Sequence, residues 1–488
     1  MSIARTAARG VAWNMVLGVG SRVLQLVGTL VLTRFIAPDA YGEVLAASIA
    51  VVTAGTLTSF AFGQYLIANR ANAQVAFQAM VLHVALGIGA MAMVVALRNP
   101  LGGWLGTPGM AAFIPGFALA QMLDRIRYVP ERILIRDLRF RSIAIINGSS
   151  DVLFTVVALA FAGGYGAQAI LIATLVRAAV CTGLFLLLSP REQWLQVAPL
   201  QWETTRRLFN YGLPVMITAI ADRAATRWDS LVMSRLFGPA VLARYNLSYS
   251  LAEMPIGHVA EHIGEVLMPS FSLMAEAQRR AAVVRAAALM SLVVSPLGVG
   301  LGAIAPIVVS TFFDARWAEM APMLMILSLM TIFRPMTWPA VAYLQAVSQT
   351  RLVMILSVLR GAVVLVLVAA FGFFGGPLWS CAGACVGYVM HSTLTVIATG
   401  RSTGLSIRDY MVGVARPLLA CIPMFLVIVG LGTKLTALDA PPLLTLAVQL
   451  VVGAGIYVAS AFLFAAFTAR EFIRIAVETL RRRSTASH

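Results

Sequence analysis

The stretch Trp13–Gly42 reads WNMVLGVGSRVLQLVGTLVLTRFIAPDAYG, and a related stretch begins 201 residues further along the chain. Both are apolar, carry an arginine at mid-length (Arg22 and Arg223) and end in an Arg-x-x-x-Pro pattern at Pro38 and Pro239. An arginine at the centre of a lipid-embedded helix costs about 3 kcal/mol or more. Two arginines at equivalent positions therefore indicate two related halves that present these charges to a polar cavity.

The composition is that of a polytopic membrane protein. Of 488 residues, 60% are hydrophobic and 11% are charged, and the mean hydropathy is +0.88, whereas soluble domains carry about a quarter charged residues. The net charge is +16, and Lys434 is the only lysine. In a membrane protein such a surplus orients the chain and meets anionic lipid headgroups, so we do not expect nucleic-acid binding.

Several classes of chemistry are excluded. A phosphate-binding Gly-x-x-x-x-Gly-Lys-Ser/Thr loop cannot occur, because Lys434 is followed by Leu435. Any energy must then come from an ion gradient, the membrane potential or product withdrawal. We interpret the four cysteines as packing residues and expect no disulfide, metal, cofactor or cleavable signal peptide; they are Cys181, Cys381, Cys385 and Cys421.

The apolar segments predict an all-α fold with about 14 transmembrane helices, since a span needs about 20 apolar residues. The predicted spans are 11–36, 42–67, 76–97, 109–129, 142–163, 166–189, 209–237, 242–269, 284–313, 319–346, 352–373, 376–399, 411–432 and 442–468. Arginines cluster in alternate loops, which predicts that both termini lie in the cytoplasm. The cluster Arg125 to Arg141 is interpreted as such a positive anchor, or as a site that captures an anionic lipid headgroup.

The spans divide into two six-helix lobes related by the internal repeat, with two helices appended. The predicted boundaries are 1–190 and 209–400 for the lobes, 191–208 for a cytoplasmic amphipathic linker, 401–469 for helices 13 and 14, and 470–488 for a basic cytoplasmic tail. The linker is expected to hold an interfacial helix, anchored by Trp194, Leu195, Leu200, Trp202 and Leu208. The tail after Leu480 is expected to be disordered.

Span 7 carries four charges, Asp222, Arg223, Arg227 and Asp229. In a regular α-helix the two aspartates would share one face and the two arginines another. Like charges four residues apart repel, so each arginine needs a partner elsewhere. That partner is a carboxylate of another helix, water, or an anionic substrate. When no substrate occupies the cavity, Asp222 and Asp229 would pair with the arginines.

Span 8 carries a polar stripe of His258, Glu261, His262 and Glu265. His258-x-x-Glu261-His262 matches an inverted zinc-protease pattern, but a third ligand and a supporting domain are not evident. The stripe is interpreted as cavity-facing or proton-coupling, because His and buried Glu titrate near neutral pH. Interhelical hydrogen bonding is the structural alternative.

Four more charges fall within or near spans, and each is either a buried salt-bridge partner or a substrate contact. These charges are Asp151, Arg177, Arg334 and Arg360.

Three groups of motifs resemble one family. They are Gly10-Val11-Ala12-Trp13 with Arg34, Pro38 and Tyr41-Gly42, then Ile133 to Arg141 (ILIRDLRFR), then Asp229 to Pro239 (DSLVMSRLFGP) followed by Arg244-Tyr245-Asn246, Pro255 and Pro269. In this order and spacing, over nearly the whole chain, they resemble the Wzx-type lipid-linked oligosaccharide flippases. That family belongs to the multidrug/oligosaccharidyl-lipid/polysaccharide exporter superfamily.

The resemblance implies a transporter, not an enzyme, in which two lobes alternate access to a central cavity. It implies translocation of a polyprenyl-diphosphate-linked oligosaccharide, which is used for O-antigen, capsule or exopolysaccharide biosynthesis. Guanidinium groups suit such a diphosphate, which makes Arg22, Arg223, Arg227, Arg177, Arg334 and Arg360 the expected substrate-binding residues. Besides this substrate and membrane lipids, a polysaccharide polymerase and co-polymerase are candidate partners, and we expect a monomer.

Three alternatives remain open. Ser21-Arg22-Val23-Leu24 also resembles the first span of lipid II flippases, whose arginine there lines the cavity, although Gly28 stands where their second arginine would fall. A multidrug or cation antiporter of the same fold would favour carboxylates in the cavity. A membrane glycosyl polymerase would usually carry a long periplasmic loop.

Overall fold

A computed structural model of the chain describes residues 20, 24–25, 27–69 and 71–485. Within them it leaves out the side chains of 225, 258–266, 268–269, 273, 277, 334–335, 476 and 479–485. Regular structure in the described part is helical, and no β-strand occurs there. The predicted all-α fold is confirmed, as lipid requires of a chain that must satisfy its backbone polar groups internally.

The Arg-x-x-x-Pro motif produces the same local structure twice. Residues 27–35 are helical, the helix stops before Ala37, and the next helix begins with Pro38 in its first turn. In the second copy a helix ends at Phe237, Gly238 adopts a φ of +80°, and a helix begins at Pro239. Proline suits the first helical position because its missing N–H would have no partner there.

Tertiary contacts divide the chain into two units, Met1–Ala243 and Arg244–His488, which are described separately. The helices of the first unit are α1 Pro38–Leu57, α2 Phe62–Ala68, α3 Ala73–Ala96, α4 Arg98–Trp104, α5 Met110–Arg136, α6 Phe140–Tyr165, α7 Gln168–Leu188, α8 Trp202–Arg223 and α9 Asp229–Phe237. Its core is formed by α1, α5, α6 and α7 around Val44, Ile114, Ala158 and Ala169. Predicted span 7 therefore groups with the first unit, whereas the lobe boundaries remain a prediction.

The helices of the second unit are α10 Pro239–Leu273, which begins at the end of the first unit, α11 Glu276–Phe312, α12 Met320–Met330, α13 Trp338–Ala346, α14 Thr350–Gly375, α15 Pro377–Thr403, α16 Ile407–Ala437, α17 Pro442–Phe464 and α18 Ala466–Thr485. Helices α14 and α15 approach closely because α15 presents glycine. A Cβ on Gly383 would lie 2.5 Å from the carbonyl oxygen of Leu367. Small residues at such interfaces are typical of membrane helices.

Ten segments of the described chain are long and apolar enough to cross a membrane. They coincide with predicted spans 2, 3, 5, 6 and 9 to 14. Predicted spans 4, 7 and 8 fall on α5, on α8 to α9 and on α10, which are helical but carry more charge. Of span 1, residues 11–19, 21–23 and 26 lie outside the described residues, and residues 27–35 are helical. The protein is a multi-pass membrane protein, and about 14 spans are compatible with its helices.

The connection Pro190–Gln201 differs from the expected interfacial helix. Its only helical part is a 3-10 turn at Arg191–Gln193, and α8 begins at Trp202. Pro190 and Pro199 account for this, because proline lacks the donor that a continuing helix needs. Of the expected anchors, Trp194 and Leu208 are buried, and Leu195, Leu200 and Trp202 are exposed.

The basic tail also differs from the expectation of disorder, because α18 continues to Thr485. The helix begins two residues after the end of α17, and its first turns pack Ala469 into the unit's core. Glu471 is buried and forms an ion pair with Arg285 on α11, whose Nε lies 2.8 Å from Oε1. This ion pair fastens the start of the tail to the bundle.

Candidate functional site

Predicted span 7 contains a π-helical turn. Helix α8 ends at Arg223, the π turn covers Ala224–Trp228, and α9 begins at Asp229. A π turn holds more residues than an α turn, and such bulges are frequent at functional sites. The wider turn changes the register, so that Asp222 is exposed and Asp229 is 1% exposed. The expectation that the two aspartates share one face is therefore wrong.

The π turn brings two arginines together without a carboxylate. Arg223 is partly buried, and its guanidinium is repelled by that of Arg227. Neither guanidinium forms an ion pair with any carboxylate in the described part of the chain. Asp229 instead accepts a hydrogen bond from the backbone N–H of Ser230 at 2.8 Å. Two adjacent like charges in a partly buried position produce a positive potential that an anion would stabilise.

A cavity of about 320 Å³ lies between α1, α5, α6 and α7 of the first unit. Polar groups from Tyr41, Ser48, Gln121, Asp124, Thr174 and Arg177 line it, together with apolar residues such as Val44 and Phe117. Helix α1, which lines the cavity, packs against α8 and α9, which flank the π turn. The cavity and the π turn are therefore neighbours in the first unit, and together they form the candidate site.

The charges that line the cavity are already paired. Asp151 on α6 forms an ion pair with Arg177 on α7, with Oδ1 and Nη2 3.1 Å apart. Asp124 accepts from the Nε of Arg127 at 2.6 Å. An arginine with a carboxylate partner attracts a further anion less than one without. The geometry thus favours Arg223 and Arg227 over Arg177 as the anion-binding residues of this unit.

The Asp151–Arg177 pair yields a testable prediction. We expect Asp151→Ala and Arg177→Ala each to lower the free energy of unfolding by about 1–2 kcal/mol. The pair is only partly buried, so its contribution should lie between that of an exposed ion pair and that of a fully buried one. The charge-swapped double variant, Asp151→Arg with Arg177→Asp, should regain most of this loss. Denaturant unfolding of the purified protein measures both effects. A swapped variant no more stable than the single variants would contradict a structural pair.

A buried polar cluster around Arg125 was missed in the sequence, where Arg125 was assigned to the basic loop. Arg125 is 3% exposed inside α5. Its Nη2 donates to Thr58 Oγ1 at 2.7 Å and to the carbonyl oxygen of Gly55, and its Nη1 donates to the Thr58 carbonyl oxygen at 3.2 Å. These acceptors end α1, so the cation interacts with the negative end of a helix dipole. The sequence did contain a sign that Arg125 is buried, because Arg125 lies one helical turn inside predicted span 4.

Two side chains of α3 and α5 complete this cluster. Arg125 donates to the carbonyl oxygen of His83 at 3.4 Å, and the His83 ring stacks on Tyr128 with centroids 4.2 Å apart. The Tyr128 hydroxyl accepts from the N–H of Gly63, at the start of α2. The cluster therefore joins both sides of the break between α1 and α2 to α5, which makes it structural.

The other predicted site residues are placed as follows. Arg22 lies outside the described residues. Arg334 belongs to the 3-10 turn Thr331–Met336, and its side chain is not among those described. Arg360 on α14 is within electrostatic range of His391 on α15. The span 8 stripe lies on α10 with its side chains outside the description, and the described side chains contain no cluster of three or more metal-ligating groups; the stripe consists of His258, Glu261, His262 and Glu265.

Comparison with known families decides the membership of the chain. The family model described as "Polysaccharide biosynthesis protein" matches residues 31–322, which is more than half of the sequence. The chain belongs to this family. The resemblance to polysaccharide exporters is thereby confirmed.

Two curated relatives extend over most of the chain. It is 22% identical to the lipopolysaccharide biosynthesis protein WzxC of Escherichia coli (strain K12) over 440 residues, which cover 89% of each chain. It is 26% identical to the succinoglycan biosynthesis transport protein ExoT of Rhizobium meliloti (strain 1021) over 444 residues, which cover 87% of this chain and 86% of ExoT.

The fold also occurs in solved structures of transporters. The chain superposes on the lipid II flippase MurJ in its inward closed conformation with a TM-score of 0.76 and 13% identity, covering 94% of this chain and 99% of MurJ. It superposes on the Vibrio cholerae MATE transporter VcmN with a TM-score of 0.56 and 16% identity, covering 84% and 99%. These structures therefore share their fold with the chain, and their names, like that of ExoT, describe proteins that move substrates across membranes.

Proposed function

We propose that the protein is a flippase that moves a polyprenyl-diphosphate-linked oligosaccharide across the bacterial inner membrane by alternating access. Membership in the polysaccharide biosynthesis family supports a role in making a polysaccharide. The name of ExoT, a biosynthesis transport protein, supports transport as the step that this protein performs. The polysaccharide would be an O-antigen, a capsule or an exopolysaccharide. Both termini would lie in the cytoplasm, as the arginine distribution predicts.

The pair of arginines at the π turn, Arg223 and Arg227, is the observation that supports a diphosphate-containing substrate. A diphosphate offers several anionic oxygens, and the guanidinium fork binds such groups with two parallel hydrogen bonds. Arginine also keeps its charge in surroundings where lysine loses it. Arg223 and Arg227 have no carboxylate partner among the described residues, so they can bind the diphosphate without first breaking an ion pair to any of these. Arg22, at the equivalent position of the first repeat, would supply a third guanidinium.

A lipid II flippase is the second candidate, and the fold of MurJ favours it. Lipid II also carries a diphosphate on a polyprenyl chain, so the same arginines would serve. The curated relatives named for lipopolysaccharide and succinoglycan biosynthesis favour an oligosaccharide of the polysaccharide pathways. A multidrug or cation antiporter fits the unpaired arginines poorly.

Transport in proteoliposomes tests the proposal. Vesicles that contain the purified protein and a lipid-linked oligosaccharide should expose the sugar to an external hydrolase several times faster than protein-free vesicles. Recovered substrate should be covalently unchanged, because a polymerase or ligase would alter it. Lipid II, supplied in parallel, separates the two flippase candidates by their relative rates. Equal exposure with and without the protein would refute both.

Three further parts of the proposal concern coupling and assembly. The stripe His258, Glu261, His262 and Glu265 would couple transport to protons, as carboxylate and imidazole groups in membranes commonly do. If so, Glu261→Gln should flatten the pH dependence of the flipping rate, and an unchanged profile would contradict this role.

The protein would act as a monomer and deliver its product to a polysaccharide polymerase and its co-polymerase.

A further inference from the structure

A second cavity, of about 950 Å³, is lined entirely by residues of the second unit. Helices α11, α12, α16 and α17 line it at the turn that joins α16 to α17. Its volume is in the upper range of cavities that hold small molecules or cofactors. No arginine or lysine lines it. The lining therefore has no cationic side chain that would bind a diphosphate, and it favours a ligand of different chemistry.

Three of the hydroxyl groups that line this cavity, those of Ser310, Thr433 and Thr436, offer a ligand mainly acceptors. The hydroxyl of Ser310 donates to the carbonyl oxygen of Ile307, that of Thr433 to Gly430, and that of Thr436 to Gly432. Because each hydroxyl hydrogen is used within its own helix, mainly the oxygen lone pairs remain for a ligand.

Gln449 adds a buried acceptor to the cavity. The side chain is 3% exposed, and its Nε2 donates to the carbonyl oxygen of Ile428 at 3.0 Å. Its Oε1 is buried and has no hydrogen-bond partner. Gly432 makes room for the amide, since a Cβ there would lie 2.4 Å from Nε2. A buried amide oxygen without a partner costs about 1–3 kcal/mol, so a donor from a ligand would be favourable here.

Asp439 supplies the single charge of the lining. It is exposed at the turn between α16 and α17, with a φ of +51°. Its carboxylate and Gln449 are separated along the chain by the first two turns of α17, which corresponds to a depth of about 10 Å. The remaining wall is apolar and includes Ala303, Ile307, Met325 and Val429.

We propose that this cavity binds an amphiphile with a protonated amine headgroup. An ammonium group carries a positive charge and three N–H donors, which match the carboxylate and the acceptor oxygens. The apolar wall would hold the hydrocarbon chain. Either a membrane aminophospholipid or a cationic amphiphile from outside the cell supplies this chemistry. The inference is independent of the proposed flippase activity, because it uses none of the arginines.

The test measures lipid retention by the full-length purified protein with native mass spectrometry. Phosphatidylethanolamine, phosphatidylcholine and phosphatidylglycerol with identical acyl chains are compared as probes. Phosphatidylethanolamine should bind about tenfold more tightly than phosphatidylcholine, whose headgroup has the charge but no N–H donors. Phosphatidylglycerol should bind more weakly still, because Asp439 repels it. Equal retention of all three lipids would overturn the proposal.

Variants locate the bound lipid. Asp439→Asn and Gln449→Leu should each weaken phosphatidylethanolamine binding about tenfold. Asp409→Asn, at the opposite end of α16, is the matched control and should change nothing. Asp439 is exposed, so its variant keeps the test valid if Gln449→Leu proves unstable in thermal unfolding. Unchanged binding by Asp439→Asn would place the lipid elsewhere and overturn the assignment.

Dodecylamine distinguishes the two sources of the ligand. If it displaces phosphatidylethanolamine from the wild type, the cavity recognises the shared ammonium chemistry and is occupied by a membrane lipid. If dodecylamine binds in an Asp439-dependent manner and phosphatidylethanolamine does not, the ligand class holds and the source is an external cationic amphiphile. Failure of both amines to bind would overturn the proposal.

Discussion

Arg223→Ala should reduce the rate of oligosaccharide flipping about a hundredfold or more, while the protein still inserts and folds. Removing one partner of a desolvated, hydrogen-bonded charge pair costs about 2–5 kcal/mol, which corresponds to this factor. The stability should be preserved because Arg223 forms no ion pair in the described structure whose loss would leave a buried charge. Arg227→Ala should behave similarly, since both guanidinium groups would bind one diphosphate.

Two companion variants sharpen this result. Arg223→Lys should recover only part of the rate, because lysine keeps the charge but cannot form two parallel hydrogen bonds. Arg206→Ala is the matched control, since Arg206 is an exposed arginine of the same helix. It should transport at the wild-type rate. The rate is measured in proteoliposomes, and thermal unfolding in detergent is measured on the same preparations.

A purely structural role for Arg223 predicts the opposite pattern. In that case Arg223→Ala would unfold at a lower temperature, and any loss of transport would follow the loss of folded protein. If instead Arg223→Ala and Arg227→Ala both flip the substrate normally, the diphosphate does not bind at the π turn. The assignment of the substrate site to the first unit would then be wrong.

The boundaries of most helices were predictable from the sequence because lipid leaves the backbone few options. An apolar segment of about 20 residues in a bilayer must form a helix. Proline then marked where helices begin, as at Pro38 and Pro239. The equivalence of the two motifs followed from residue spacing alone and required no knowledge of tertiary contacts.

Features that depend on one residue of register or on contacts distant in the sequence were not predictable. The π turn at Ala224–Trp228 changes which face Asp229 occupies, although nothing in its composition distinguishes it from an α turn. The contact between the motifs is another example, since a Cβ on Gly42 would lie 1.9 Å from the carbonyl oxygen of Pro239. The sequence presents Gly42 only as a small residue after Tyr41.

Charge placement was the least predictable property, because arginine serves three purposes in this chain. The loop arginines are expected to orient the chain, Arg177 pairs with Asp151 across two helices, and Arg223 and Arg227 have no carboxylate partner in the described part of the chain. All three uses look alike in a list of basic residues. Arg125 shows the consequence, since a count of positive charges placed it in a loop although it is buried.

Arg125→Met should lower the free energy of unfolding by about 3 kcal/mol or more. Methionine fills a similar volume but leaves the carbonyl oxygens of Gly55 and Thr58 without their charged donor, and hydrogen bonds to charged groups contribute about 1.5–3 kcal/mol each. Arg125→Lys should recover part of this loss, because one ammonium cannot reach all of these acceptors. Denaturant unfolding of the purified variants measures the change.

Arg139→Met is the matched control for this prediction, since Arg139 is an exposed member of the same basic segment. It should unfold like the wild type, and equal stability of Arg125→Met would contradict the structural role. The buried Arg125 and the partly buried Arg223 should therefore have opposite effects. The molecules of Arg125→Met that do fold should flip the substrate at close to the wild-type rate, because the Arg125 donors are engaged by α1. Arg223→Ala should remain stable and fail to transport, since its guanidinium has no such partner.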